Sequence, residues 1–373
     1  MEIESLDALE DHLDDGTPLG GLRLQGLDLS GYARRFAEHT DLTGLVVLGG
    51  TVPADVAEVL LRRGAIVFPG IADAPVDPWR GLYRPEDLYA GLEHGYDATP
   101  DARAYRWFVD AHLRTDAYCT LVRAIHDDTV TDDLDELVAG RSVVGVMGGH
   151  RVERGTDAYA AAARLGDRLA SEGHLVATGG GPGAMEAVNL GALCHDAADL
   201  QDALDRLAAV PTFRPSVTDW ARLALDVRAD VVGDEPRVPT DLLGPTARSL
   251  GIPTWFYGHE PPNVFCDAVA KYFSNAIRED GLLSRSTAGI VVLGGAAGTV
   301  QEIFQAVTPL YYALDDAPLP PLVLVGRRQW TVDVPVWPTL SVLAADRRMA
   351  GSVHLVDDIE EVPEILAAAP TLP

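Results

Sequence analysis

The chain has 373 residues, 47% of them hydrophobic and 23% charged, enough to bury a large core and, by length, to form about two domains. Its 56 acidic residues against 29 basic ones leave a formal charge of −27. That long-range field disfavours nucleic acid and anionic membranes as partners while leaving room for a local cationic pocket. Cys119, Cys194 and Cys266 are scattered with no CxxC spacing and read as buried thiols of a reducing compartment. The N-terminus is acidic without an apolar signal core, and no run approaches the ~20 apolar residues of a membrane span, so the expectation is a cytoplasmic protein.

Residues 1–135 read as a smaller α/β accessory domain. Apolar alternation at 22–29 (LRLQGLDL) and an apolar run at 45–48 (LVVL) before Gly49 and Gly50 suggest strands, and 55–63 (DVAEVLLRR) has the spacing of an amphipathic helix before a strand at 65–69. Helices at 101–109 and 116–126 lead into a second domain, 136–373. There, strand 142–147 (SVVGVM), helix 157–171 and strand 174–178 form a βαβ unit with an expected right-handed crossover. An insertion at about 195–250 follows, with helices at 197–207 and 216–228 around a proline-bounded turn at 210–215, then a polar, proline-rich stretch at 233–245. It reads either as a lid or as an element that packs on the sheet or forms a dimer surface. Further strands are expected at 254–257, 289–293, 322–326 and 353–356, with helices at 263–277 and 300–310. The pattern predicts a doubly wound, Rossmann-like parallel sheet with its ligand crevice at the C-terminal ends of the strands.

Two glycine-rich turns stand out, 174–185 (HLVATGGGPGAM) and 290–302 (IVVLGGAAGTVQE). Between a strand and a helix, such a turn aims backbone N–H groups and the positive end of a helix dipole at one point, a seat for phosphate. In the second turn Gly294, Gly295 and Gly298 let backbone approach an anion, Thr299 adds a hydroxyl, and Glu302 follows three residues on. The same Thr-x-x-Glu spacing also fits a capping box, with Glu302 bonded back to Thr299 N–H. Upstream, Arg278 in the segment NAIRE offers a planar cation for a phosphate or a departing base, or else a simple partner for helix carbonyls, Glu279 or Asp280.

In the first turn Gly179, Gly180, Gly181 and Gly183, with Met185, match G-x-G-x-x-A only weakly. The turn follows the second strand of its unit and lacks the acidic residue of a nicotinamide dinucleotide site. Gly148, Gly149 and His150 follow the first strand and are expected to line the same crevice. The letters VVLGG at 46–50 recur at 291–295, but no Thr-x-x-Glu follows the first copy, which reads as an accessory or interface turn. His126-Asp127-Asp128 and His195-Asp196 read as solvated helix ends, and no metal site is expected.

The segments MGGHRV (147–152), ATGGGPGAMEAVNLGA (177–192) and GIVVLGGAAGTVQEI (289–303) resemble the LOG-type (lonely guy) proteins, and among them the long bacterial nucleotide 5′-monophosphate nucleosidases. The resemblance covers roughly residues 140–310. It implies a Rossmann-like domain in a homodimer or higher homo-oligomer that hydrolyses a nucleoside 5′-monophosphate to free base and ribose 5-phosphate without a cofactor. Position by position, Glu302 corresponds to the catalytic glutamate of the family's PGGxGTxxE motif, and Gly295, Gly298 and Thr299 to its phosphate turn. The motif's proline and second glycine are Gly294 and Ala296 here. An ungapped count sets Glu279 under the family's catalytic arginine, and a one-residue adjustment brings Arg278 there. The alternative function is a non-catalytic nucleotide or molybdenum-cofactor carrier. Pyridoxal-phosphate chemistry would need Lys271, the one lysine of the chain, which no glycine loop adjoins. Arg214, Trp220 and residues 255–257 could supply a face for the base.

Overall fold

The structure, a computed structural model, describes residues 2–68, 74–233, 246–258, 260–314 and 318–368. The chain divides into two compact units, Met1–Trp79 and Arg80–Pro373.

The first unit is a stack of short parallel strands, β1 (Glu2–Ile3), β2 (Arg23–Gln25), β3 (Val46–Leu48) and β4 (Ile66–Phe68), paired in chain order. Helices α1 (Leu6–Asp14), α2 (Ala33–Glu38) and α3 (Ala54–Arg62) connect them. The register places Ile3 beside Leu24 and Val47 beside Leu24 and Val67, so equivalent apolar residues form a column within the core. Here the first VVLGG copy has a packing purpose. A Cβ on Gly50 would lie 2.0 Å from Leu27 O, and one on Gly49 would lie 1.8 Å from Trp79 Nε1. Both glycines have positive φ, so backbone conformation and close neighbours together exclude a side chain.

The second unit contains a doubly wound parallel sheet. Its strands are β5 (Val143–Met147), β6 (Leu175–Thr178), β7 (Ser249–Gly251), β8 (Ala268–Val269), β9 (Gly289–Val292), β10 (Leu322–Val325) and β11 (Val353–Val356). Their order is β11-β10-β9-β5-β6-β7-β8, with every pairing parallel. Strand order reverses between β5 and β9, which is where an open α/β sheet parts its connections and leaves a crevice. The flanking helices that matter for the site are α4 (Pro100–Val109), α5 (Ala117–Val138), α6 (Asp157–Ser171), α7 (Ala184–Leu193), α8 (Ala197–Leu207), α9 (Val217–Val232), α10 (Asn275–Arg285) and α11 (Ala297–Tyr312). Helices α6 and α7 touch backbone to backbone. A Cβ on Gly191 would sit 1.7 Å from Ala163 O, and one on Gly166 would sit 2.0 Å from Val188 O.

Several expectations change. A domain boundary at residue 135 gives way to one after Trp79 because residues 80–138 are tied into the second unit. Tyr83 exchanges backbone hydrogen bonds with Val269, and Asp127 accepts from the Phe273 and Ser274 N–H groups. His126 and Asp127 are therefore buried, not solvated: His126 Nε2 lies 2.7 Å from Tyr83 Oη. The helix expected at 263–277 is replaced by β8 and a later start of α10, whose N-cap is Ser274. Residues 264–266 and 268–273 are buried, a pattern of chain held on both sides, and the Asp267 carboxylate ties the strand to β7 through the Arg248 and Ser249 N–H groups. The strand expected at 254–257 shrinks to a single bridge between Thr254 and Tyr272 before the chain turns. Of the insertion, α8 and α9 pack against each other, while 234–245 lie outside the described residues.

Candidate functional site

The loops after β5, β6 and β9 meet at the reversal point, and Gly149 joins all three. Its N–H donates to Gly294 O (2.8 Å) and its carbonyl accepts from Ala184 N–H (3.2 Å). Gly148 sits where a Cβ would approach Ala184 Cβ to 2.8 Å, and Gly183, at φ +79°, where one would meet Gly149 O at 2.7 Å. These glycines therefore bring three loops within van der Waals contact of one another.

The first glycine turn is held from below by buried polar side chains that sequence patterns do not reveal. Thr178 Oγ1 accepts from Gly180 N–H (2.9 Å) and donates to Asn189 Oδ1. Asn263 Nδ2 donates to Gly181 O (3.2 Å) and Asn189 Oδ1 (3.0 Å), while Asn263 N–H donates to Gly180 O (2.8 Å). Met185 packs beneath the turn, where a Cβ on Gly179 or Gly181 would come within 2.8 Å of its side chain. A buried network with its donors and acceptors matched gives the turn a single shape.

The second turn opens α11. Helix geometry leaves the first N–H groups without intrahelical partners, and Ala296 at the N-cap offers no side-chain acceptor. Thr299 is buried and its hydroxyl occupies the space a Gly295 side chain would need, since that Cβ would lie 2.1 Å from Thr299 Oγ1. Ala296 adopts φ −125°, which a residue with a Cβ tolerates, so the loss of the motif's second glycine leaves the turn unstrained. The capping-box alternative is overturned: the helix starts at Ala297, so Thr299 and Glu302 lie inside it, and Glu302 bonds elsewhere.

Its partner is Arg278. Helix α10 carries Arg278 to the crevice, where Nη1 lies 3.0 Å from Glu302 Oε1, Nε donates to Ile252 O (2.8 Å) and Nη2 donates to Gly179 O (3.3 Å). The two side chains are 9% and 12% exposed, so the pair is largely withdrawn from water without being closed off from a ligand. Burial pushes the Glu302 carboxyl above its ordinary range, Arg278 opposes that, and Glu279 and Glu260 add to it. Arg278, rather than Glu279, thus faces Glu302. Glu279 is engaged by Asn275 Nδ2 (2.8 Å) and Gln301 Nε2.

At the first glycine turn, where a Gly181 Cβ would lie 3.7 Å from Glu260 Oε2, His150 Nδ1 lies 2.9 Å from Glu260 Oε1. His150 also lines a cavity of about 350 Å³ whose other walls include Arg151, Gly183, Phe213, Arg214 and Trp220. Beneath it, Arg154 pairs with Glu186, both side chains 1% exposed, and its guanidinium lies 4.6 Å from the Trp220 ring centroid. The insertion therefore supplies a wall of this cavity through Phe213, Arg214 and Trp220. Trp255 is placed elsewhere, buried and stacked on Phe273 (centroids 4.5 Å apart) with its Nε1–H donated to Asp101. Tyr257 is 37% exposed, and its hydroxyl accepts from Asn275 Nδ2 (3.4 Å). Lys271 is 1% exposed and its Nζ pairs with Asp101, a structural position. Among the described residues no group of three or more His, Cys, Asp and Glu side chains could hold a metal ion, and no helix is long and apolar enough to cross a membrane.

The model of the SLOG cluster4 family matches residues 141–198, the stretch holding β5, β6 and the first glycine turn. No curated protein matches the chain. Among solved structures, TM1055 is 20% identical over 61% of this chain and 98% of its own, with a TM-score of 0.36. The molybdenum cofactor binding protein of Rippkaea orientalis is 17% identical over 62% of this chain and 98% of its own, TM-score 0.35. The molybdenum cofactor carrier protein of Chlamydomonas reinhardtii is 18% identical over 61% and 99%, TM-score 0.34.

Proposed function

We propose that this protein hydrolyses the N-glycosidic bond of nucleoside 5′-monophosphates, releasing free base and ribose 5-phosphate. The observation that carries the reading is the Arg278–Glu302 pair, 3.0 Å apart, beside the uncapped start of α11 at the reversal point of the sheet. A phosphate seated on the N–H groups of residues 295–299 anchors the sugar within reach of Glu302. As the C1′–N bond lengthens, positive charge builds on the ribose ring and the carboxylate stabilises it. Glu302 also takes a proton from the attacking water. Arg278 is a member of the same site: three of the five guanidinium N–H donors are committed to Ile252, Gly179 and Glu302, which fixes its plane and orients the carboxylate. The remaining donors serve the substrate's phosphate or hydroxyls. The coarser conclusion, a nucleotide-related or cofactor-binding role, draws on the family match at 141–198. Assembly into a homodimer belongs to the same proposal and is read by sedimentation.

The test is incubation of the purified chain with a panel of nucleoside 5′-monophosphates, following free base by chromatography. Base release from at least one member is expected. Tight binding with no turnover of any would replace this reading with a carrier of nucleotide or molybdenum cofactor.

A further inference from the structure

N-glycoside hydrolysis needs more than a carboxylate opposite the ribose. The departing nitrogen takes the electron pair of the broken bond, and a base leaving as an anion is a poor leaving group unless it gains a proton. Neither member of the Arg278–Glu302 pair can give one. A guanidinium does not deprotonate in proteins, and Glu302 must be ionised to face the ribose cation. Of the acids bordering the cavity, Glu186 is locked against Arg154 with 1% of its side chain exposed, and Glu153 is exposed to solvent, where nothing among the described residues holds it in line with a bound base.

His150 is differently placed. Its side chain is 29% exposed and lines the cavity, and Nδ1 is held by Glu260 at 2.9 Å. Glu260 lies against the first glycine turn, its Oε2 3.7 Å from where a Gly181 Cβ would sit, and Arg278 donates to Gly179 O of the same turn, so the His150–Glu260 dyad stands between the reacting centre and the cavity. The cavity has the makings of a base site. At about 350 Å³ it falls in the range of small-molecule pockets, and it combines the aromatic rings of Phe213 and Trp220 with the guanidinium donors of Arg151 and Arg214.

We propose that this cavity receives the departing base and that His150 protonates it through Nε2, with Glu260 positioning the imidazole, an inference that rests on the glycosidase reading above. The step balances. A water oxygen bonds to C1′, the C1′–N pair moves onto the base, and the imidazolium proton passes to a base nitrogen. Glu302 receives the water's proton, and exchange with solvent restores both groups. The carboxylate on Nδ1 sets the tautomer and ring orientation, so that Nε2 is the nitrogen presented to the ligand.

The experiment compares a purine nucleoside 5′-monophosphate with its N7-methylated counterpart, whose base already carries a positive charge and leaves neutral without an acid. With His150→Asn, kcat/KM on the unmethylated substrate is expected to fall by about 10²- to 10⁴-fold, the usual worth of general acid catalysis, and on the methylated one by less than about 10-fold. Glu260→Gln, which keeps a hydrogen-bond acceptor, is expected to give the same selectivity at smaller amplitude, with kcat lowered and KM unchanged. Equal losses on both substrates, or no loss on the unmethylated one, would overturn the assignment while leaving the glycosidase reading intact. If the wild-type protein releases base from neither substrate, the glycosidase reading falls and this one with it.

Discussion

Replacing Glu302 by glutamine removes one charge while keeping an oxygen to accept from Arg278 Nη1, which now lies 3.0 Å from Glu302 Oε1. A carboxylate about 4 Å from a developing unit charge contributes about 4 kcal/mol at an effective dielectric of ~20. That corresponds to roughly 10³-fold in rate. Stability should move the other way. Burial raises the Glu302 carboxyl above its ordinary value of 4.5, outweighing Arg278. A group whose folded value is raised holds its proton more tightly in the folded state. Its stabilisation is complete below the ordinary carboxylate range and is lost as pH climbs through the raised value. At neutral pH the ionised carboxylate is therefore a burden on the fold, and the glutamine variant should melt no lower than wild type. The two should converge towards the acid end, where Glu302 is protonated. Single-turnover base release at pH 7.5 and calorimetric Tm from pH 4 to 8 read both effects. A variant within about 10-fold of wild-type kcat would refute the charge-stabilising role. A Tm well below wild type at neutral pH would instead make the pair a structural clamp.

The same carboxyl sets the acid limb of activity: kcat/KM should fall on acidification at a pH above the ordinary glutamate value of 4.5, with Arg278, Glu279, Glu260 and Tyr257 as its charged or titratable neighbours. A limb at or below 4.5 would contradict its buried setting. At the phosphate turn, a Gly295 side chain would lie 2.1 Å from Thr299 Oγ1, whereas one on Gly298 meets nothing within 4 Å. Gly295→Ala should accordingly displace the hydroxyl and raise KM roughly 10- to 100-fold, the worth of one hydrogen bond to a charged ligand. Gly298→Ala should hold or raise Tm, because alanine is favoured over glycine in a helix by up to about 1 kcal/mol. Away from the site, Gly191→Ala would force a methyl to 1.7 Å from Ala163 O at the α6–α7 contact. The expected loss is about 1–3 kcal/mol, seen as a lower urea midpoint.

Much of the fold is legible along the chain because the elements of a parallel sheet are local. Helices α6 and α8 occupy the ranges their periodicity implies, and β5, β6, β9, β10 and β11 lie within or at the bounds expected from apolar runs before glycine or polar turns. The misreadings have a common cause. Residues 254–255, 263–266 and 268–273 are buried, and a buried segment carries no period to separate helix from strand. His126 and Asp127 look like solvated polar residues until Tyr83 and the backbone of Phe273 and Ser274 close over them.

At the candidate site the division is similar. Sequence by itself determined the glycine turns, since φ angles and missing side chains are properties of single residues, and it marked Thr299, Glu302 and Arg278 as the residues with chemistry to offer. Whether Glu302 capped its own helix or met another was open, because a three-residue spacing serves both. The tertiary structure decided it by bringing α10 across to α11, so that the carboxylate meets a guanidinium 24 positions away in the chain. Only tertiary structure, likewise, set Glu260 against His150, 110 residues apart, and lent the insertion's Phe213, Arg214 and Trp220 to the cavity wall. Contacts between distant segments depend on how layers pack, and no local pattern of residues encodes that.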